Sequence, residues 1–365
     1  MEVGILGGGQ LGRMLALAGY PLGVRCTVYD PMPDACAGQV APHLCASYED
    51  IDALTRFAQG KQVITYEFEN VPVATARALE TYAPVHPTPR ALEQFQDRLL
   101  EKQILRAVGI PTPAFAPVEA RAPADALEQV GCPCVLKTRR GGYDGKGQAV
   151  ARTPDEYRDA IAQLGNTPLM VEAFVPFERE LSVIGVRGQD GETRVYPLVE
   201  NHHREGILRL SLAPAPDSET LLPVAHGYIQ RLADALNYVG VLALELFQVG
   251  DQLLANEVAP RVHNSGHWTI EGAHTSQFEN HLRAILGLPL GSTAARGVSA
   301  MVNLIDDLPP IEPILRVAGA HLHLYGKAPR AGRKLGHITV CADSHDALER
   351  ALQQIGQTLP IERGR

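Results

Sequence analysis

Residues 137–148 read KTRRGGYDGKGQ, a stretch with four glycines and two lysines between β-rich runs. Glycines let the backbone approach an anion closely, so a loop of this kind could fold over a polyphosphate above Lys137, at the end of a strand. A Walker A loop is excluded, because Arg140 and Gly147 stand where that motif needs Gly and Ser or Thr. We predict a phosphate-covering loop; a basic hairpin tip without a ligand is the alternative.

Two glutamates, Glu245 and Glu257, interrupt apolar runs on either side of residues 250–252. If those three residues form a hairpin loop, the glutamates oppose each other on one face of the two strands. Like charges in an apolar setting repel each other and lose hydration, and a bridging cation would offset both costs. Mg²⁺ commonly binds through carboxylates plus substrate phosphates. We predict a Mg²⁺ site with Asn256 nearby; two solvated glutamates on an outer face are the alternative.

The segment at 260–267, PRVHNSGH, follows the second of these strands. His263 and His267 do not indicate a zinc pair, because no Glu accompanies them as in H-E-x-x-H and Gly266 argues against a helix. A guanidinium at Arg261 suits an oxyanion, and the imidazole of His263 suits proton transfer near neutral pH. Both are therefore predicted beside the metal and phosphate centre; two loop residues with satisfied hydrogen bonds are the alternative.

The run GGGQLG at 7–12 follows a predicted strand and precedes a predicted helix, and Asp30 ends the next strand. This is formally a dinucleotide fingerprint. The motif does not by itself specify a dinucleotide, because glycines at a helix N-terminus suit a single phosphate as well as a pyrophosphate. A nicotinamide dinucleotide, a structural glycine turn and another phosphorylated ligand are the three interpretations, and we favour the third.

A basic cluster stands near the end of this acidic chain, with glycines at 326 and 332 within it: Lys327, Arg330, Arg333 and Lys334. Charge clusters are usually solvated surface. A turn that receives a phosphate is an equally good interpretation, because glycines lie among the cations.

The order of β-rich and helical patterns indicates a multidomain protein of mixed α/β and α+β class. Short alternating runs at the start favour a parallel sheet, and the proline-rich residues 83–89 end it before a charged helical segment at 91–108. Longer β-rich runs follow, one of them at 194–199. We predict a doubly wound α/β domain over 1–92, an α+β domain over 93–292 with a small subdomain at about 112–175, and a β-rich cap over 293–365.

Composition narrows the function classes. The net charge of −8 disfavours a nucleic-acid partner, which needs clustered basic surface. The start carries no cationic signal region and no run reaches membrane-spanning length, so we expect a cytoplasmic protein without a membrane partner. The six cysteines are scattered, which favours reduced thiols.

In their order along the chain, these motifs resemble those of the N5-carboxyaminoimidazole ribonucleotide synthetases, ATP-grasp enzymes of the purine pathway. The likeness covers nearly the whole chain: GGGQLG at 7–12, TYEFENV at 65–71, the loop at 137–148, ENHH at 200–203, NE at 256–257, HNSGH at 263–267, TSQFE at 275–279 and GRKLGH at 332–337. Leu324 and Ala331 depart from the family, which often has Trp and Pro there, so the tail's substrate contacts are weakened slightly.

The resemblance implies an ATP-grasp fold with an N-terminal doubly wound parallel-sheet domain and a small C-terminal β-rich domain. It also implies that ATP, with Mg²⁺, phosphorylates bicarbonate to carboxyphosphate, which carboxylates the amine of 5-aminoimidazole ribonucleotide and releases ADP and phosphate. A homodimer is expected from the family alone.

The resemblance assigns roles to individual residues. The ATP phosphates fall to Arg98, Lys137, Gly142, Tyr143, Asp144, Gly145, Lys146, Gly147 and Gln148. The adenine hinge falls to Glu172, Ala173, Phe174 and Val175, and the ribose end to Glu180 with His203. Glu245 and Glu257 are the expected metal ligands, with Asn256 and Glu257 also at the nucleotide. Catalysis falls to Arg261, His263 and Lys146, and the substrates to Gln10, Leu11, Glu67, Tyr143, Asp144, Arg261, His263, Asn264, Lys327, Arg333 and Lys334.

Three rival hypotheses remain open. A sister ATP-grasp ligase, such as a formate-dependent glycinamide ribonucleotide transformylase or a biotin carboxylase, would share Lys137, Glu245 and Glu257 but use another donor. A nicotinamide dehydrogenase would use the glycine run at 7–12. A nucleotide sensor would bind ATP without forming ADP.

Overall fold

The computed structural model describes residues 1–142, 145–165 and 167–362. Its N-terminal part holds β1 (Glu2–Leu6), α1 (Gln10–Gly19), β2 (Arg25–Tyr29), β3 (His43–Leu44), α2 (Ile51–Ala58), β4 (Val63–Tyr66), α3 (Val73–Leu79) and α4 (Pro89–Phe95). The strands form one parallel sheet in the order β3-β2-β1-β4. The predicted parallel sheet is therefore confirmed.

The next part begins with α5 (Arg98–Ala107) and then forms a four-stranded antiparallel sheet of order β5-β8-β6-β7. Its elements are β5 (Phe115–Val118), α6 (Pro123–Val130), β6 (Cys134–Thr138), β7 (Gln148–Ala151), α7 (Pro154–Leu164) and β8 (Leu169–Ala173). Lys137 lies at the end of β6, and the glycine-rich loop joins β6 to β7. The loop therefore connects two antiparallel neighbours of this sheet.

A nine-stranded sheet forms the centre of the molecule. It contains β9 (Arg179–Arg187), β10 (Thr193–Val195), β11 (Val199–Arg204), β12 (Ile207–Ala213), β13 (Gly240–Val249), β14 (Gln252–Ala259), β15 (Val298–Asp306), β16 (Ala320–Leu324) and β17 (Arg330–Ala342). Its order is β14-β13-β9-β11-β12-β15-β17-β16, with β10 beside β9. Strands on both sides of residue 293 therefore share one sheet.

The remaining helices are α8 (Leu222–Ala235), α9 (Thr269–Gly272), α10 (Gln277–Ile285), α11 (Ile311–Leu315) and α12 (His345–Gly356). Apolar residues of β1, among them Val3 and Ile5, belong to the same buried cluster as Ile184 and Val186 of β9. This shared core fixes the parallel sheet against the large sheet. Among the helices of the described residues, none has both the length and the apolar character needed to cross a bilayer.

Two predicted elements are wrong in detail. The helical segment at 91–108 is two helices, because Asp97 is extended and its carboxylate accepts the Leu99 N–H at 3.0 Å, which starts α5 anew. The predicted strand at 194–199 ends at Val195, and β11 begins at Val199. Pro197 lies between them and has no N–H for a ladder.

Candidate active site

A cavity of about 760 Å³ lies where the parallel sheet, the four-stranded sheet and the large sheet meet. Its volume is in the usual range for a small-molecule site. The predicted site residues that line it are Gln10, Leu11, Glu67, Arg98, Lys137, Gly145, Gln148, Glu172, Ala173, Phe174, Val175, Glu180, His203, Glu245, Asn256, Glu257, Arg261, His263, Asn264 and Lys334. The structure thus brings most of the predicted set together.

Other predicted residues lie outside this lining. Gly142, Lys146, Gly147, Lys327 and Arg333 are not among the residues that line the cavity. Tyr143 and Asp144 lie outside the described residues, so their predicted roles stay predictions. Arg333 donates to the Ala328 carbonyl at 3.2 Å, which ties it to its own segment.

The hairpin of β13 and β14 places Glu245 directly opposite Glu257, as predicted, but by a different route. The loop has two residues rather than three, since Val249 pairs with Gln252. That change alone would put the glutamates out of register by one residue. A β-bulge at Asn256 restores the register, because one extra residue in β14 moves Glu257 back opposite its partner.

The bulge is held by a buried lysine that the motifs did not indicate. Lys102 of α5 is 1% exposed, and its ammonium donates to the carbonyls of Ala255 at 3.1 Å and Asn256 at 2.6 Å. It also pairs with the Glu172 carboxylate at 3.2 Å. The cation thus binds the backbone that the bulge frees, which explains why the irregularity is stable.

Glu172 lies between two ammonium groups, since Lys137 contacts its other oxygen at 2.9 Å. Burial would raise the pKa of Glu172, but the charges of Lys102 and Lys137 outweigh burial and lower this pKa to about 2. The carboxylate therefore stays ionised and fixes both lysines in place. Lys137 lies 3.5 Å from the amide oxygen of Asn256, so its ammonium is held near the bulge. The Glu172 side chain thus positions two ammonium groups, in addition to the adenine-hinge role predicted for it.

The two opposed glutamates differ in charge compensation. Burial would raise the pKa of Glu245, yet the hydrogen bond and charge of His263 outweigh burial and lower this pKa to about 2. Burial raises the pKa of Glu257, and the negative charge of Glu245 adds to that rise, while Arg98 opposes it. Glu257 is thus a carboxylate with an incomplete set of positive neighbours.

The donor set fits a hard divalent cation. Glu245 and Glu257 project from paired positions into one cavity, and a cation there would offset their repulsion. In the ranges 1–142, 145–165 and 167–362 there is no cluster of three or more His, Cys, Asp or Glu side chains arranged for a metal. The protein would therefore supply two carboxylates, and substrate oxygens or water would supply the other ligands.

Beside this pair, Arg261 and His263 each contact a carboxylate. Arg261 donates through Nε to Glu69, and His263 Nε2 lies 3.2 Å from Glu245 Oε1. Burial would raise the pKa of Glu69, but the charge of Arg261 outweighs burial and lowers it. Glu69 stands within the TYEFENV motif, yet only its neighbour Glu67 was selected, so its partnership with Arg261 was missed.

Arg98 has a structural contact in addition to its place on the cavity. Its guanidinium donates to the carbonyls of Thr138 at 2.9 Å and Gly142 at 3.1 Å, so it holds the start of the glycine-rich loop. Gly147 at the other end of the loop has φ of +72°, which favours glycine. Arg98, one of the predicted phosphate residues, thus also anchors the first part of the loop.

One end of the cavity is aromatic. Phe247 lines it and stacks on Phe177 with ring centroids 4.6 Å apart and planes within 6°. Phe174 is 44% exposed and also lines this end. Nearby, His203 Nδ1 lies 2.6 Å from Glu180 Oε2; burial would lower the pKa of His203, but Glu180 outweighs it and raises this pKa. Phe247 was missed because an aromatic residue in an apolar strand carries no distinguishing pattern.

The glycine turn at the other end donates its N–H groups to the protein itself. Gly9 and Gly12 donate to Glu67 at 2.8 and 3.2 Å, and Gly8 donates to Asp30 at 2.7 Å. Gly7 has φ of +98°, which makes the tight turn possible. Two carboxylates therefore occupy the N–H groups that a dinucleotide or phosphate would need, and the turn presents Gln10 and Leu11 to the cavity instead.

Three of the predicted substrate residues, Gln10, Lys327 and Asn264, already have side-chain partners. Lys327 donates to the Gln10 side-chain oxygen, which joins the turn to the C-terminal segment. The amides of Asn264 and Asn303 donate to each other, at 3.1 and 2.8 Å. These pairs hold Gln10 and Asn264 at fixed positions beside the cavity.

Three family models match consecutive parts of the chain. They are the ribonucleotide synthetase preATP-grasp domain over residues 1–96, the ATP-grasp domain over 103–278 and the phosphoribosylaminoimidazole carboxylase C-terminal domain over 299–351. The second model spans the four-stranded sheet and strands β9 to β14 of the large sheet, and the third begins within β15 of that same sheet.

Named relatives and solved structures match over nearly the whole chain. The N5-carboxyaminoimidazole ribonucleotide synthase of Pseudomonas aeruginosa is 53% identical over 345 residues, which are 94% of this chain and 95% of that protein. The crystal structure of the N5-carboxyaminoimidazole ribonucleotide synthetase from Thermus thermophilus matches with 58% identity and a TM-score of 0.94, over 97% of this chain and 98% of that one. The Aspergillus clavatus N5-carboxyaminoimidazole synthase in complex with ADP and 5-aminoimidazole ribonucleotide matches with 33% identity and a TM-score of 0.90, over 97% of each chain.

Proposed function

Because the chain belongs to the N5-carboxyaminoimidazole ribonucleotide synthase family, we propose that it carboxylates the amine of 5-aminoimidazole ribonucleotide at the expense of ATP and bicarbonate. The reaction passes through carboxyphosphate and releases ADP and phosphate, in purine biosynthesis. The chain is an ATP-grasp ligase, and the predicted fold, with its preATP-grasp and C-terminal domains, is confirmed.

One observation carries the proposal: a single cavity holds an aromatic end, a cluster of cations and carboxylates, and the glycine turn. An adenine base suits the end near Phe174 and Phe247, since it is flat and apolar. Lys137 suits the phosphates, because a fixed ammonium stabilises charge without reorganisation. The ribonucleotide suits the turn with Gln10 and Lys334. The ADP and 5-aminoimidazole ribonucleotide named in the Aspergillus clavatus structure are the two ligands that such a division needs.

Glu245 and Glu257 would hold Mg²⁺, which would neutralise and orient the phosphate oxygens when bound. The repulsion between these two carboxylates supports the assignment, as does the raised pKa of Glu257. Arg98 and Lys137 supply the positive charges beside them.

Arg261 and His263 are the residues we propose for the bicarbonate end. Glu69 holds the Arg261 side chain at Nε, and a guanidinium so fixed binds a planar anion with little further ordering. His263 lines the cavity and its Nε2 lies 3.2 Å from Glu245 Oε1, so the imidazole and this carboxylate together can hold or move the proton that leaves the amine. Lys146 and the rest of the loop would close over the phosphates.

The oligomeric state and the cellular location are proposed from the family alone. A homodimer and a cytoplasmic location are expected, and sedimentation of the purified chain at several concentrations would measure the first. A single monomeric species at micromolar concentration would exclude a stable dimer.

Donor dependence tests the activity. We expect ADP release from ATP to require both 5-aminoimidazole ribonucleotide and bicarbonate, with no stimulation by formate. Release that depends on formate, or on glycinamide ribonucleotide, would favour a sister ligase. ATP binding without ADP release under every donor would favour a nucleotide sensor. NADH binding without ATP binding would favour the dehydrogenase.

A further inference from the structure

A buried chain of hydrogen-bonded side chains leads from His263 to residues that do not touch the cavity. His263 Nδ1 lies 2.8 Å from the hydroxyl of Ser265, which lies 2.8 Å from that of Ser182. The Asn201 amide nitrogen follows at 2.9 Å, and its oxygen lies 2.8 Å from the Ser211 hydroxyl. The three serines are fully buried and Asn201 is 6% exposed. Water therefore cannot substitute freely along the chain.

The large sheet fixes these side chains to one another. Ser182 on β9 is directly opposite Glu245 on β13, and Asn201 on β11 is directly opposite Ser211 on β12. Paired residues of neighbouring strands project on the same face. The chain thus crosses three neighbouring strands on the face that carries Glu245.

The direction of every bond follows from one donor that cannot reverse. The backbone N–H of Ser265 donates to His263 Nδ1 at 3.3 Å, so this nitrogen carries a lone pair. The Ser265 hydroxyl must then donate to the same nitrogen and accept from Ser182. Ser182 in turn accepts from the Asn201 amide, whose oxygen accepts from Ser211.

The opposite direction fails at the same place. It would need a flipped Asn201 amide and a proton on Nδ1 of His263, and that proton would face the backbone N–H of Ser265. A buried donor facing a donor is costly, so only one direction satisfies all members.

We propose that Ser182, Asn201 and Ser211 are positioning residues that set the tautomer of His263. They keep Nδ1 as an acceptor and hold the ring proton on Nε2, which faces Glu245 Oε1 at 3.2 Å. This orients both the imidazole and the carboxylate. The link to catalysis rests on the proposed function of His263, whereas the tautomer itself does not.

The tautomer can be measured directly on the full chain labelled with ¹⁵N-histidine. Ring ¹⁵N shifts and long-range ¹H–¹⁵N correlations distinguish a protonated from an unprotonated nitrogen, and the signal missing in His263→Asn assigns the residue. We expect His263 to show an unprotonated Nδ1 and a protonated Nε2. A proton on Nδ1 in the wild-type chain would overturn the proposal.

Two variants test whether the chain of hydrogen-bonded side chains controls the tautomer of His263. Asn201→Asp removes the amide donor and leaves only acceptors, so Ser182 must donate to residue 201 and the direction reverses. We expect the His263 proton to move toward Nδ1 and kcat to fall about 10- to 100-fold, the range for lost orienting partners, with KM for ATP changed less than about twofold. Ser182→Ala interrupts the chain, and we expect a mixture of tautomers and a kcat about tenfold lower.

The control is Ser218→Ala, since this buried hydroxyl donates to the Ala215 carbonyl at 2.6 Å and lies outside the chain. Should Asn201→Asp fail to fold, Ser182→Ala decides alone. If Ser182→Ala kept the wild-type tautomer of His263 and had a kcat equal to that of Ser218→Ala, the proposal would be wrong. The NMR spectra do not depend on enzyme turnover. A protein that shows the expected tautomer but does not carboxylate 5-aminoimidazole ribonucleotide would therefore contradict the proposed function and leave the tautomer assignment intact.

Discussion

Two walls of the cavity each bury a glutamate, and they treat its charge in opposite ways. On the nucleotide wall, built from α5, β6, β8, β13 and β14, Glu172 pairs with two ammonium groups, and its pKa falls to about 2 despite burial. On the glycine-turn wall, Glu67 accepts two backbone N–H groups, and burial raises its pKa because it outweighs those bonds. The charges of two ammonium groups outweigh the burial of Glu172, whereas two backbone N–H groups do not outweigh the burial of Glu67.

The difference suits what each wall would bind. A polyphosphate needs fixed positive charge, and the nucleotide wall holds Lys102 and Lys137 in place through the ionised Glu172. The glycine-turn wall instead presents Gln10 from a rigid turn, held by Lys327. We therefore expect substitutions on the nucleotide wall to act through charge, and those on the glycine-turn wall to act through geometry.

The largest effect is expected from Glu257→Gln on the nucleotide wall. ADP release should fall about 10²- to 10³-fold, because a preorganised charge next to the phosphates is lost. Folding stability should hold or rise, since the raised pKa of Glu257 reflects burial and repulsion by Glu245. Initial rates and thermal unfolding of the same preparation measure the two.

The control for that variant is Glu200→Gln. Glu200 on β11 forms an ion pair with Arg179 at 3.0 Å, and it is not among the residues that line the cavity. Its activity should stay near wild type. Near-normal ADP release by Glu257→Gln would refute the metal assignment.

Next in size is Glu172→Gln, which tests the charge pairing itself. The variant leaves Lys102 buried without its counter-ion, so we expect a loss of about 3–5 kcal/mol in the free energy of unfolding. The lowered pKa means that Glu172 contributes this stability above its ordinary value of 4.5 and loses it as the pH falls toward about 2. The gap to wild type should therefore shrink from neutral pH to about pH 3 in urea titrations.

Glu93→Gln is the matched surface control for Glu172→Gln. Glu93 pairs with Arg77 at 2.6 Å, but both side chains are about half exposed, so the loss should be about 0–1 kcal/mol. Equal losses in the two variants would show that burial does not strengthen the Glu172 pairs.

The opposed glutamates show how far the sequence predicts this site. A three-residue loop at 250–252 was the basis for predicting that Glu245 and Glu257 oppose each other, and the hairpin has that opposition. The loop length was wrong, and a bulge at Asn256 compensates. Such a bulge depends on the distant Lys102, which binds the freed carbonyls across 153 and 154 residues of chain. No local pattern carries that contact, because a lysine in a charged helix ordinarily indicates a solvated position.

The glycine run shows the same limit from the other side. Its spacing correctly predicted a strand, a tight turn and a helix, since those follow from local backbone requirements. Which anion meets the N–H groups depends on Glu67, more than fifty residues away, with bonds spanning 55 and 58 positions. The sequence therefore predicted the turn, and the fold decided its partner.

A smaller effect is expected from Glu67→Gln on the glycine-turn wall. One of the two N–H bonds loses its acceptor, so the free energy of unfolding should fall by about 1 kcal/mol. The raised pKa of Glu67 means that its contribution is largest at low pH and declines as the pH rises through the folded value. The gap to wild type should thus shrink toward high pH, opposite to Glu172→Gln. The KM for the ribonucleotide should rise while the KM for ATP stays constant; the reverse pattern would exchange the roles of the two walls.

The smallest effect is expected from Ala331→Pro, which restores the residue common in the family. Ala331 is exposed and has no ladder partner of its own, since it lies near the start of β17 between Arg330, opposite Asp306, and Lys334, opposite Ile305. We therefore expect a proline there to disturb the ladder little. Proline should stabilise the chain by about 0.4–1 kcal/mol through the unfolded state. The KM for the ribonucleotide should change less than about twofold, as for a surface position. Thr339→Pro, within the ladder between β15 and β16, should unfold the tail by contrast. A large change in KM from Ala331→Pro would mean that the tail recognises the ribonucleotide by geometry as strict as that of the glycine turn.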